Sequence, residues 1–123
     1  MPGRAKTVIP KRGEVYLVNF DPTQGAEIRK TRPALIVQND VVNRYRPTTI
    51  VAAITSQLYM PLYPTEVLVD SKQGGLSLDS VVLLNQIRSI DKARLIKRLG
   101  RLATETMAEV DHALQVSLDI LQA

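Results

Sequence analysis

From Gly13 onward, apolar and polar residues follow a period of two. Glu14, Tyr16, Val18 and Phe20 alternate with Val15, Leu17 and Asn19, which predicts a strand. Asp21-Pro22-Thr23-Gln24-Gly25 interrupts it with turn chemistry. The next apolar run, Ala34 to Val37, opens on Pro33, and a proline is best tolerated where a strand begins. A loop is expected through Asn39, Asp40, Asn43 and Pro47. A third strand follows over Thr48–Thr55, rich in β-branched residues. A long loop with Pro61 and Pro64 leads to a fourth strand, Thr65–Asp70, and Gly74-Gly75 makes a turn. Ser80–Ile87, with Val81 to Leu84 apolar throughout, reads as a buried fifth strand. Asp91–Leu95 fits one helical turn, and Ile96–Leu102 fits either a strand or a helix.

The last element reads as a helix. Thr104 can cap its start, and Glu105 and Glu109 lie near the positive end of its dipole. Met107, Val110, Leu114, Ser117/Leu118 and Leu121 form one stripe at helical spacing, which needs a surface to cover. Short strands followed by one terminal helix predict a mainly β, α+β domain: a small curled antiparallel sheet or partial barrel. Residues 1–10 are basic, contain two prolines, and read as a loose arm; 11–123 read as one domain.

Composition narrows the chemistry. The 123 residues can bury a core without cross-links. With no cysteine there is no disulfide scaffold, thiolate zinc site or cysteine nucleophile, which suits a reducing, cytoplasmic setting. No signal peptide or membrane span is visible. Charge is unevenly placed: residues 1–103 carry all 16 cations against eight carboxylates, a balance of +8, and the last twenty residues hold four acids and no base, which leaves +4. A basic body fits a polyanionic partner, and equally fits ordinary solubility. The single histidine, His112, lies inside the terminal helix, which excludes a two-histidine ribonuclease and disfavours a serine triad. Carboxylates occur singly, without metal-cage spacing, and no phosphate loop is present.

What remains is a cationic segment, Gly25-Ala26-Glu27-Ile28-Arg29-Lys30-Thr31-Arg32-Pro33. A guanidinium just before a strand can be aimed at a phosphate by the rigid sheet. Thr55, Ser56 and Gln57 place three hydrogen-bonding side chains at a strand end. Local spacing leaves a solvated turn open in both places.

At these residues the chain resembles the MazF/PemK-like toxin endoribonucleases of toxin–antitoxin systems. The likeness runs through Arg12-Gly13-Glu14-Val15-Tyr16, Gly25-Ala26-Glu27, Thr31-Arg32-Pro33, Gln38-Asn39-Asp40, Ala53-Ile54-Thr55-Ser56-Gln57 and Asp79 to Asp91, and covers about residues 11 to 121. The resemblance implies a compact SH3-like β-barrel with a C-terminal helix, which makes Ile96–Leu102 a strand. It implies a homodimer, a cognate antitoxin, and metal-independent cleavage of single-stranded RNA. It makes Arg32 and Thr55 the catalytic pair and Glu27 the candidate base. Some relatives carry glutamine and glycines where this chain has Ile28, Arg29 and Lys30, which makes this loop stiffer and more basic.

Arg29, Lys30, Arg44, Arg46 and Arg88 are then candidates for phosphate contacts, and Gln38, Asn39, Gln57 and Gln86 have amides suited to base edges. Tyr59 and Tyr63 could stack on a base or pack. No cofactor is called for. Two rivals share the fold: a CcdB-like gyrase-poisoning toxin, and a non-catalytic barrel that binds RNA or protein.

Overall fold

Alternation along the first strand sets the architecture. In β1 (Glu14–Asn19), Val15 enters one apolar cluster while Tyr16 and Val18 enter another, so the sheet is buried on both faces. The structure is a computed structural model that describes residues 8–20 and 31–122. It adds β2 (Thr31–Ile36), β3 (Thr48–Thr55), β4 (Glu66–Val69), β5 (Ser80–Asp91) and β6 (Leu95–Arg101). These form a six-stranded sheet in the order β4-β5-β3-β2-β1-β6, antiparallel at each pairing.

The larger cluster gathers Val15, Leu35, Ala52, Ile54, Val67, Val82 and Leu84 beneath Val110 and Ala113 of the terminal helix α2 (Thr104–Ser117). The smaller cluster lies on the opposite face and contains Tyr16, Val18, Ala34, Ile36, Val51, Ile90 and Leu95. The expected α+β class holds, and residues 95–101 are a strand. β5 continues four residues past the expected Ile87, because Ile87 to Asp91 pair with Thr48 to Ala52 of β3. Asp91 then caps a 3-10 turn, Lys92–Arg94, by accepting the Ala93 N–H at 2.9 Å.

Three local expectations are corrected. The segment after β2 is not a loop throughout: Asp40–Tyr45 form the short helix α1, whose N-cap is Asn39. Polar residues that resemble a turn here satisfy a buried network. Asn43 is fully buried; its Oδ1 accepts from Gln38 Nε2 at 2.9 Å and Thr49 Oγ1 at 2.7 Å, and its Nδ2 donates to the Gln38 carbonyl at 2.9 Å. The buried Lys92 ammonium donates to the Asn43 carbonyl. At α2 the cap position is Ala103, without a side-chain bond, and Thr104 is the first helical residue. The apolar stripe also stops early: Leu118 and Leu121 are exposed, since the helix ends at Ser117, and Thr106, Val110 and Ala113 are its buried line. In the expected N-terminal arm, residues 1–7 lie outside those described, and Pro10 is fully buried.

Among the described residues the barrel is not closed by hydrogen bonds, since β4 and β6 remain the sheet's two edges. The gap is filled by close packing of backbone. The Gly74-Gly75 turn after β4 lies so near β6 that a Cβ on Gly75 would stand 2.0 Å from the Leu99 carbonyl oxygen. Both glycines have positive φ, 73° and 69°.

Candidate active site

Strand register brings Arg32 and Thr55 together. β2 and β3 pair as Ile36↔Val51, Leu35↔Ala52 and Ala34↔Ala53. Continued by two residues, that register sets Arg32 across from Thr55. The parity of each strand also sets the face. Ala34 and Ile36 belong to the smaller cluster, so Arg32 shares its side; Val51 does likewise for Thr55. Two polar side chains thus emerge where the smaller cluster ends.

Arg32 and Thr55 line two clefts at once. One, of about 420 Å³, adds Ala53, Gln57, Tyr59, Leu62, Glu66 and Gln86. The other, of about 430 Å³, adds Thr31, Pro33, Ser56, Gln57, Ser77 and Ser80. The pair therefore stands on the ridge between an aromatic, amide-bearing hollow and a hydroxyl-lined one. The Gln57 N–H donates to Thr55 Oγ1 at 3.1 Å. With that lone pair engaged, the hydroxyl hydrogen is free to turn toward an acceptor in the clefts.

Gln86 reaches the first cleft because β5 is irregular. Ala52 pairs with Ile87 and Ala53 with Leu83, so three residues of β5 stand opposite none of β3. An odd insertion inverts parity. Val82 faces the larger cluster before it, Leu84 within it, and Ile87 packs there after it, which leaves Gln86, Arg88 and Ile90 on the other side. Arg88 lies over the Phe20 ring, 5.4 Å from its centroid, at cation–π distance.

The remaining candidates divide. Gln57 stands with the pair in both clefts. Asn39 accepts the Val42 N–H at 2.8 Å, and its carbonyl oxygen is engaged in capping α1. Arg44 lines a separate hollow with Ile9, Val41 and Tyr45. Both follow the far end of β2, at least about 13 Å of strand away from Arg32. Gln38 is buried, bonded to Asn43 and the Thr48 carbonyl. Glu27, Arg29 and Lys30 lie outside the described residues. Glu66 was not singled out from the sequence, although alternation could have found it: Val67 and Val69 enter the larger cluster, which leaves Glu66 on the cleft side. Among the described residues no group of three or more His, Asp or Glu could hold a metal ion, and no helix is long and apolar enough to cross a membrane.

Comparison with known proteins matches residues 11–118 to the family described as PemK-like, MazF-like toxin of type II toxin–antitoxin system. The chain is 48% identical over 114 residues to Endoribonuclease EndoA of Bacillus subtilis, covering 93% of this chain and 98% of that one. Among solved structures, an endoribonuclease from a mycobacterial species in complex with its cognate antitoxin aligns with a TM-score of 0.75 at 26% identity, covering 93% of this chain and 99% of that one. MazF from Deinococcus radiodurans aligns at 0.72 and 28% identity, over 91% and 98%.

Proposed function

The chain belongs to the PemK-like, MazF-like family of toxins of type II toxin–antitoxin systems, and from that membership we propose that it is a sequence-specific endoribonuclease cutting single-stranded RNA without a metal. The observation that supports the reading is that Arg32 and Thr55 line the same two clefts, at neighbouring ends of β2 and β3. One phosphodiester can sit on the ridge between those clefts with a nucleotide falling to each side.

RNA brings its own nucleophile, the 2′-hydroxyl. Its oxygen attacks the adjacent phosphorus and the 5′-oxygen leaves, producing a 2′,3′-cyclic phosphate and a free 5′-hydroxyl. Arg32, always cationic, neutralises charge growing on the equatorial oxygens. Thr55 donates to a nonbridging oxygen. Glu27 is the candidate base that takes the 2′ proton. Arg88, Arg29 and Lys30 supply phosphate contacts, and Gln57 and Gln86 offer amides to base edges. Asn39 and Arg44 stand apart from this path. The same reading makes the protein a cytoplasmic homodimer restrained by a cognate antitoxin.

Purified protein incubated with mixed single-stranded RNA should yield new 5′-hydroxyl ends. Arg32→Ala should slow cleavage on the order of a hundredfold, as losing one preorganised donor does elsewhere. Undiminished cleavage by that variant would refute the assignment of Arg32.

A further inference from the structure

The first cleft contains more than the ridge needs. Tyr59 is 74% exposed yet lines the hollow beside Arg32, with Leu62 as an apolar neighbour. An exposed aromatic ring facing a half-apolar hollow is a platform for another flat ring. The loop carrying it is fastened at its end: the Tyr63 N–H donates to Glu66 Oε1 at 2.9 Å, and the Glu66 N–H to the Tyr63 carbonyl at 2.9 Å. Glu66 itself is a carboxylate placed in a cleft that must accept a polyanion. That is unfavourable toward phosphate and favourable toward a hydrogen-bond donor. Nucleobase amino groups are such donors, and carboxylates read them directly.

We propose that this cleft is a subsite for one unpaired, amino-bearing base next to the cleaved phosphate, stacked on Tyr59 and hydrogen-bonded to Glu66. The subsite deepens the ribonuclease reading and rests on it for the identity of the polymer. Adenine, cytosine and guanine carry an exocyclic amine, whereas uracil's donor is an N3–H flanked by two carbonyl oxygens that repel a carboxylate, so uracil is the base it disfavours. Glu66 Oε1 already accepts from the loop, which leaves Oε2 to the base and holds the carboxylate in one orientation.

The cleavage map of a random single-stranded RNA pool, read by 5′-hydroxyl end sequencing, should disfavour uracil at one position flanking the cut. Tyr59→Ala should raise KM on a preferred substrate about tenfold or more with kcat retained, as loss of one stacked base predicts; Tyr59→Phe should restore KM. Glu66→Gln, with an amide that donates as well as accepts, should relax the discrimination against uracil at that position alone. Wild-type cleavage with an unchanged KM and map in Tyr59→Ala overturns the subsite and leaves the nuclease intact. A fall in kcat for Glu66→Gln with the map unchanged also overturns it, by making Glu66 part of the chemistry. The chain has no tryptophan, so Tyr59→Trp provides a single reporter that needs no turnover. Its fluorescence should be quenched by 2′-O-methyl oligoadenylate at far lower concentration than by 2′-O-methyl oligouridylate, and equal or absent quenching refutes the proposal even if no RNA is cut.

Discussion

Replacing Gly100 by alanine tests how the sheet is closed. The added methyl would stand 2.6 Å from the Gly74 carbonyl carbon and 2.8 Å from the Gly75 nitrogen. Carbon atoms pack at about 3.5–4.0 Å, so the turn and β6 must separate by about 1 Å. Both sides of the contact are backbone, with no flexible side chain to give way. Overpacking of this kind costs about 1–3 kcal/mol. Gly75→Ala meets the same contact from the other side, 2.0 Å from the Leu99 oxygen, and at φ +69 adds a left-handed backbone penalty of about 1–2 kcal/mol. It should therefore be the worse of the two.

One displacement relieves both clashes. The double variant should thus lose less than the sum of the single losses, by about 1 kcal/mol or more, because the sites share one gap. Urea unfolding reads this through the midpoint at constant m value. A Gly100→Ala protein within about 0.5 kcal/mol of wild type, the usual scale of an inconsequential surface change, would refute backbone contact as the closing element. Strict additivity would refute the single gap. The consequence extends to the site, since Leu76, Ser77 and Leu78 follow this turn directly and line the second cleft.

Three further outcomes are expected. Asn43→Leu removes the acceptor of Thr49 Oγ1 and the donor to the Gln38 carbonyl, two groups at about 1–3 kcal/mol each when buried unpaired, so thermal unfolding should show a loss of several kcal/mol. The Arg12 backbone N–H on Asp40, at 2.7 Å, holds that carboxyl below its ordinary value of 3.8; a depressed folded value adds stability above the unfolded one and loses it as pH falls through the folded one, so Asp40→Asn should flatten the acid limb of the urea midpoint below about pH 4. Arg88→Ala should weaken binding of all RNA sequences alike and lower the slope of log affinity against log salt by about 1, measured by titration at several salt concentrations.

The strands were legible because their alternation survives in both clusters: Tyr16 and Val18 against Val15, and Val51 against Ala52, fall on opposite sides as a period of two requires. The helix α1 was not legible, because Asn39, Asp40 and Asn43 have the composition of a turn and only the buried partners Gln38 and Thr49 turn it into a cap and a network. The end of α2 was misread for a related reason. Helical spacing continues through Leu118 and Leu121, but the helix ends at Ser117 and both leucines are exposed. Arg32 and Thr55 could be named from motif order alone. Their meeting at the same two clefts needed the fold, and the three-residue insertion in β5 that carries Gln86 to the cleft leaves no local mark in the sequence.

Uneven charge along the chain becomes a division between the faces of the sheet. The helix α2, with Glu105, Glu109 and Asp111, covers the larger cluster, and Asp111 is paired to Arg12 at 2.7 Å. On β6, Arg98 is bound by Glu14 at 2.8 Å. Those pairs neutralise cations away from the clefts. Glu14 shares the parity of Tyr16 and Val18, so its pair with Arg98 lies on the smaller cluster's side, as Arg32 and Arg88 do, and Arg94 donates to the Phe20 carbonyl at 3.3 Å. The acidic last twenty residues therefore need not weaken attraction for a polyanion. They stand behind the sheet, and the potential that a strand of RNA would meet at the clefts is that of the opposite side, where Arg32 and Arg88 lie and Glu66 is the carboxylate lining the first cleft. A carboxylate retained there against the general charge is explained by a donor on the ligand, which ties the electrostatics of the whole molecule to the base that its cleft selects.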